Sequence, residues 1–165
     1  MNQPPPQLTT LSHTFAQLLS LTHRGARLAR LLAVSQLRSR NAPPDLTERA
    51  EIVVAELAAN AVLHGCLPGR GFRLSLVFDA PAGRLRIDVT DARGGRWPQP
   101  RPATAASSDT ALHTDGRGLA LVAAIADHWE TLPHPPSSKT VRAELVGPAR
   151  KRRPDEKQPT RLITR

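Results

Sequence analysis

Sulfur and aromatic carbon are scarce in this chain. Of its 165 residues one is cysteine (Cys66) and one is methionine, with three Phe, two Trp and no Tyr. A lone cysteine excludes an internal disulfide and argues against a Cys-built metal site. It also fits a reducing cytoplasm, and Cys66 reads as filler at a helix end rather than as a reactive thiol. So few aromatics leave no stacking platforms for single-stranded nucleic acid. No run of about 18 apolar residues occurs, so no membrane-spanning helix is expected. The opening "MNQPPPQLTT" lacks the basic-then-apolar order of a secretory signal. Internal repeats are also absent.

What is present suffices for one domain, since a chain of this length buries about 70% of the surface its unfolded form exposes. The formal charge of +9 invites a nucleic-acid partner. Its location argues otherwise. Arg150 to Arg165 hold seven Lys/Arg against Asp155 and Glu156, so more than half the excess lies in a segment of low apolar content. That segment is read as a solvated, disordered tail, and nucleic-acid binding ranks last among the functional readings.

Along the chain, "TFAQLLSL" (14–21) suits an edge strand or a short helix, and periodicity does not decide. From about His23 to Ser39, Ala26, Leu28, Leu31, Leu32, Val34 and Leu37 recur at helical spacing. Arg24, Arg27, Arg30, Arg38 and Arg40 lie mostly elsewhere, which predicts a basic amphipathic helix with a solvated arginine face. The next helix is expected to start at Asp45 as N-cap with Glu48 completing a capping box. It buries Leu46, Val53, Leu57 and Ala61, and stops at Gly65. "GFRLSLVFDA" and "RLRIDVTD" alternate around the turn "PAG", as a hairpin does. A Gly/Pro/Ser/Ala-rich stretch from Ala92 to Thr114 follows, of a length usually functional or mobile. Then come a glycine-led apolar helix and a closing strand pair, "HWETL" and "KTVRAELV". The expected class is α+β, a two-layer sandwich with helices on one face of a mostly antiparallel mixed sheet.

Three segments carry chemistry. In "ELAANAVLHG", Glu56, Asn60 and His64 stand at successive i, i+4 positions and project from one helix face. An amide oxygen can ligate Mg²⁺, and a carboxylate one turn away can accept a proton. In "DVTDARGG", Asp91 ends a strand and runs into Gly94 and Gly95. A carboxylate there can accept from an exocyclic amine, and the glycines let backbone approach a flat base. In "TDGRGLALV", Gly116, Arg117 and Gly118 open a helix, a natural seat for phosphate. Neither a Walker loop nor a Rossmann fingerprint is present. Taken singly, each segment reads equally well as a polar stripe, a simple turn and an ordinary helix start.

In this order the three segments resemble the N, G1 and G2 boxes of the GHKL (Bergerat-fold) ATP-binding superfamily. The likeness is strongest to bacterial anti-sigma-factor serine kinases and to actinomycete single-domain ATP-binding regulators. "GARLAR", "VAELAANAVLHG", "GRGLALVAAIADHW" and "KTVRAEL" carry it, from about Arg24 to Val146. The resemblance implies that Glu56 acts as the base, that Asn60 ligates Mg²⁺, and that His64 and Gly65 lie beside the nucleotide. Asp91 and Gly95 would serve the adenine end, and Gly116, Arg117 and Gly118 the phosphates. Thr140 would sit behind the adenine, supporting Asp91 or a bound water. Arg93 stands where the G1 pattern has its first glycine. The implied domain covers 11–147 with a lid at about 96–114, between a flexible N-terminus (1–10) and the basic tail (148–165). ATP and Mg²⁺ are the implied cofactors. The implied partner is a sigma factor or an anti-anti-sigma-like antagonist, with homodimerisation allowed and no membrane. The implied activity is serine/threonine phosphorylation of that antagonist. The alternative is a non-catalytic module whose nucleotide state controls partner binding.

Overall fold

Residues 12–64, 71–91, 117–134 and 137–148 are described by the computed structural model. In chain order they form β1 (Ser12–Ser20), α1 (His23–Ser39), α2 (Pro44–His64), β2 (Gly71–Asp79), β3 (Arg84–Asp91), α3 (Arg117–Ile125), β4 (His128–His134) and β5 (Ser138–Val146). The strands make one sheet in the order β1-β2-β3-β5-β4, and all four pairings are antiparallel. This is the expected α+β two-layer arrangement.

The ambiguity at residues 14–21 resolves as an edge strand. β1 pairs with β2 over its whole length, from Ser12 opposite Asp79 to Ser20 opposite Gly71. Only Leu19 of this strand is fully buried, so the hydrogen-bonding edge of β2 rather than burial fixes its conformation. The chain then turns directly into α1. Thr22 caps that helix, its hydroxyl accepting from the Gly25 amide at 3.0 Å. Gly25 is required at this corner, because a Cβ there would collide with the Ser20 carbonyl oxygen. α1 ends in paired bonds, Asn41 N–H to Arg38 O and Ala42 N–H to Leu37 O, with Asn41 left-handed at φ 53.

The buried side of α1 differs from the expected stripe. Gly25, Ala29, Ala33 and Leu37 face inward, while Leu28 and Leu31 are exposed. Small residues at i, i+4 let α1 approach α2 closely, and the larger leucines are left outside that contact. The arginines of α1 are exposed or half-exposed as expected, and Arg30 reaches Glu51 of α2 at 3.5 Å.

α2 also departs from expectation at its start. The helix begins at Pro44, which suits the first helical position. The Pro43 carbonyl accepts from both the amide and the hydroxyl of Thr47. Asp45 therefore lies inside the first turn, largely exposed, and is not the cap. The helix thus starts two residues earlier than a cap at Asp45 would give, which removes the geometry a capping box needs. The expected core positions Leu46, Val53, Leu57 and Ala61 are all buried, joined by Ala50, Val54, Ala58 and Val62.

One sheet face carries the core. Leu74–Val89, Leu76–Ile87 and Phe78–Leu85 are opposed between β2 and β3, and Val89–Val141, Ile87–Ala143 and Leu85–Leu145 between β3 and β5. These side chains are nearly all inaccessible and meet the helices, each large one contributing roughly 1.5–3 kcal/mol by its burial. The opposite face is polar. There Arg142 grips Asp88 through two bonds of 2.8 and 3.0 Å, which, with nearby acidic groups, raises the Arg142 pKa.

Arg49 of α2 ties the helix layer to the sheet. Its guanidinium donates to the carbonyls of Val146 (2.9 Å) and Ile125 (2.8 Å) and to Asp127 (2.8 Å). Asp127 in turn accepts from the Val146 amide at 2.7 Å. The last turn of α3 and the end of β5 are thereby fixed to one residue of α2.

Candidate functional site

Where α2 begins determines where its polar face arrives. Leu46, in its first turn, packs beside Gly147 and near the Gly83 carbonyl, at the end of the sheet where β3 starts and β5 finishes. At about 1.5 Å per residue, α2 advances about 27 Å from Leu46 to His64. An eight-residue strand spans about the same. The helix lies over β2, β3 and β5, so its last turns reach the opposite sheet end, where β3 finishes at Asp91 and β5 begins.

Glu56, Asn60 and His64 are all half-buried on those turns. Glu56 has a specific neighbour. A Cβ built on Gly118 would fall 2.5 Å from Glu56 Oε2, so the carboxylate lies against bare backbone in the first turn of α3. Glycine at 118 is what permits this approach. The site also suits the charge, because the N-terminal turn of a helix carries partial positive charge from its unpaired amides. α3 then runs back along α2, its last carbonyl at Ile125 held by Arg49.

Asp91 is buried on the helix-facing side of the sheet, 3% exposed. Directly across from it stands Lys139, 2% exposed, with Nζ 3.7 Å from Asp91 Oδ2. Thr140 does not face Asp91. Opposite Thr90 in register, it shares a 2.7 Å hydroxyl–hydroxyl contact with that residue on the other side of the sheet. The resemblance gave Thr140 the support of Asp91 or of a bound water; of these, the register places Lys139 and not Thr140 opposite Asp91. Alternation carried the signal: Val141, Ala143 and Leu145 face inward, so 139 joins them and 140 does not.

Gly65, Gly95 and Gly116 lie outside the described residues, as do Cys66 and Arg93. Arg117 is the first residue of α3. The described residues therefore bring together the Glu56 carboxylate and the α3 start. They also set Asp91 beside Lys139 at the sheet end that the last turns of α2 reach. Among them no group of three or more His, Cys, Asp or Glu could hold a metal ion. A single amide oxygen such as that of Asn60 still fits Mg²⁺, which commonly takes one or two protein oxygens and completes its shell with phosphate and water.

The Glu56 carboxylate against the first turn of α3 and Asp91 at the end of β3 are the polar features that the fold gathers here. The chain belongs to the histidine kinase-like ATPase domain family, whose model matches residues 19–144. Membership implies an ATP site.

Solved structures share the fold. One, of the RsbU and RsbW domains of a Mycobacterium tuberculosis protein, superposes with a TM-score of 0.59 at 19% identity over 84% of this chain. This chain spans only 34% of that larger one. Another, the SiaB–SiaC complex from Pseudomonas aeruginosa, gives a TM-score of 0.59 at 14% identity, covering 79% of this chain and 88% of its own. At these identities the likeness is one of fold. Among curated proteins none matches the sequence. No helix of the described residues is long and apolar enough to cross a membrane.

Proposed function

We propose that this chain is an ATP- and Mg²⁺-binding regulator that phosphorylates a serine or threonine on a protein antagonist, in the manner of anti-sigma-factor kinases. The observation that carries the reading is Glu56 held against Gly118 in the first turn of α3. It sets a proton acceptor beside a helix start suited to phosphate.

In this reading the attacking hydroxyl forms a bond to the γ-phosphorus, the bond to the β,γ-bridging oxygen breaks, and ADP leaves. Glu56 takes the hydroxyl proton and fixes the direction of attack. Asp91 accepts from the adenine amine. Asn60 would hold the magnesium, which would supply positive charge to offset that of the phosphates. The backbone from Gly116 to Gly118 and the Arg117 guanidinium bind the phosphate oxygens, and His64, Gly65 and Gly95 line the nucleotide. A protein partner accords with the SiaB fold having been captured in complex with a second protein, SiaC.

Two measurements test this. In isothermal titration the wild type binds ATP in a Mg²⁺-dependent manner and Asn60→Ala abolishes that dependence; equal binding by the mutant refutes the metal role. With labelled ATP and cell lysate, the wild type labels a protein and Glu56→Ala does not. ATP binding without any transfer would assign the chain to the non-catalytic class, in which nucleotide only sets the shape of a partner surface.

A further inference from the structure

We propose that Lys139 reads the nucleobase: its ammonium donates to the N1 ring nitrogen of adenine while Asp91 accepts from the neighbouring exocyclic amine. This rests on the adenine-nucleotide reading of the site and adds to it a residue that fixes base specificity.

The inner face of β3 and β5 is apolar row after row, Leu85–Leu145, Ile87–Ala143 and Val89–Val141. The next row breaks the pattern with Asp91 opposite Lys139. Both side chains are almost wholly removed from solvent, at 3% and 2% exposure. A buried ion pair is a poor source of stability, because desolvating two charges offsets most of their attraction. A fold needing only stability would have continued the apolar rows.

The chemistry of the pair suits a base edge. Nζ and Oδ2 are 3.7 Å apart, in ion-pair contact but longer than a hydrogen bond. An ammonium carries three donors and a carboxylate several acceptor sites, so their mutual contact and a further one elsewhere still leave both able to meet a ligand. Side by side they offer one acceptor and one donor. The adenine edge offers the complement, an amine donor beside a ring-nitrogen acceptor, and protein sites commonly read bases along that edge. The threonine hydroxyl next along β5 cannot take this part, since it faces the other side of the sheet and is bonded to Thr90. In the absence of base the two charges neutralise each other, which lets Asp91 stay buried.

The test uses the full chain, titrated calorimetrically with ATP, with 7-deaza-ATP and with 1-deaza-ATP, in which a C–H replaces N1. The 7-deaza analogue keeps N1 and is expected to bind like ATP. The 1-deaza analogue is expected to bind roughly tenfold to a hundredfold more weakly, the range for a lost hydrogen bond to a charged group. Lys139→Met should erase that discrimination. It also strands a buried carboxylate, so the paired variant Asp91→Asn/Lys139→Met, with no net charge buried, is measured beside it and should bind ATP and 1-deaza-ATP alike. Equal binding of the two nucleotides by the wild type, or discrimination surviving in the double variant, overturns the role of Lys139 while leaving the ATP site intact. Failure of all three nucleotides to bind overturns the ATP reading itself and this inference with it.

Discussion

Gly118→Ala separates stability from turnover. The added methyl would stand 2.5 Å from Glu56 Oε2, closer than carbon and oxygen tolerate without contact, so one of them must move. The obstacle is the end of a flexible side chain and not backbone, so the carboxylate swings away and the helix stays. The energies nearly cancel. Replacing glycine gains at most roughly 0.5–1 kcal/mol, the helix-interior value, and less in the first turn where Gly118 stands. Losing a carboxylate beside a helix N-terminus costs roughly 0.3–1 kcal/mol. Net stability should therefore change by less than about 1 kcal/mol, a melting shift within about 4 °C for a chain of this size. On the proposed reading, phosphoryl transfer should fall toward the level of Glu56→Ala, because the carboxylate proposed as base no longer occupies its place. Thermal denaturation and a labelled-ATP transfer assay read the two effects separately. A mutant that melts like wild type and transfers phosphate at the wild-type rate would refute the positioning of Glu56 by Gly118. A melting point lowered by more than about 8 °C would refute the claim that only a side chain yields.

The remaining predictions concern the frame around the site. Arg49→Met removes three donated bonds, two to carbonyls and one to a carboxylate, and should cost about 2–3 kcal/mol given the partial exposure of the cluster; a chemical-denaturation midpoint unchanged from wild type would contradict it. The Val146 amide, and after it Arg49, hold the Asp127 carboxyl below its ordinary 3.8. Its stabilising contribution is thus complete above about pH 4 and is lost as pH falls through the lower folded value, so Asp127→Asn should flatten part of the acid limb of a stability–pH curve. Thr140→Val should cost about 1 kcal/mol for the bond to Thr90 and leave ATP affinity unchanged; a large loss of affinity would show that Thr140 reaches the nucleotide after all.

Much of this protein was legible from its residues alone. Strict alternation in "GFRLSLVFDA" and "RLRIDVTD" around a short turn left the hairpin few alternatives, because a shift by one residue would turn every apolar side chain to water. The α1 boundaries likewise followed from periodicity. The three polar boxes, each ordinary when taken singly, were recognisable only by their order along the chain, through the resemblance to a known family. Other features needed the folded chain. "TFAQLLSL" has no decisive period, and it became a strand only because β2 offered an unpaired edge along nine residues. Which face of α1 turned inward depended on how near α2 could come, so Ala29 and Ala33 displaced Leu28 and Leu31. Glu56 meeting Gly118 joins residues far apart in sequence through helix packing, which no local pattern encodes. The opposition of Asp91 and Lys139 lies between these cases. Alternation along β5 names the inward residue, but only the register of β3 against β5 decides which inward residue meets the carboxylate, and register is settled by the pairing of whole strands.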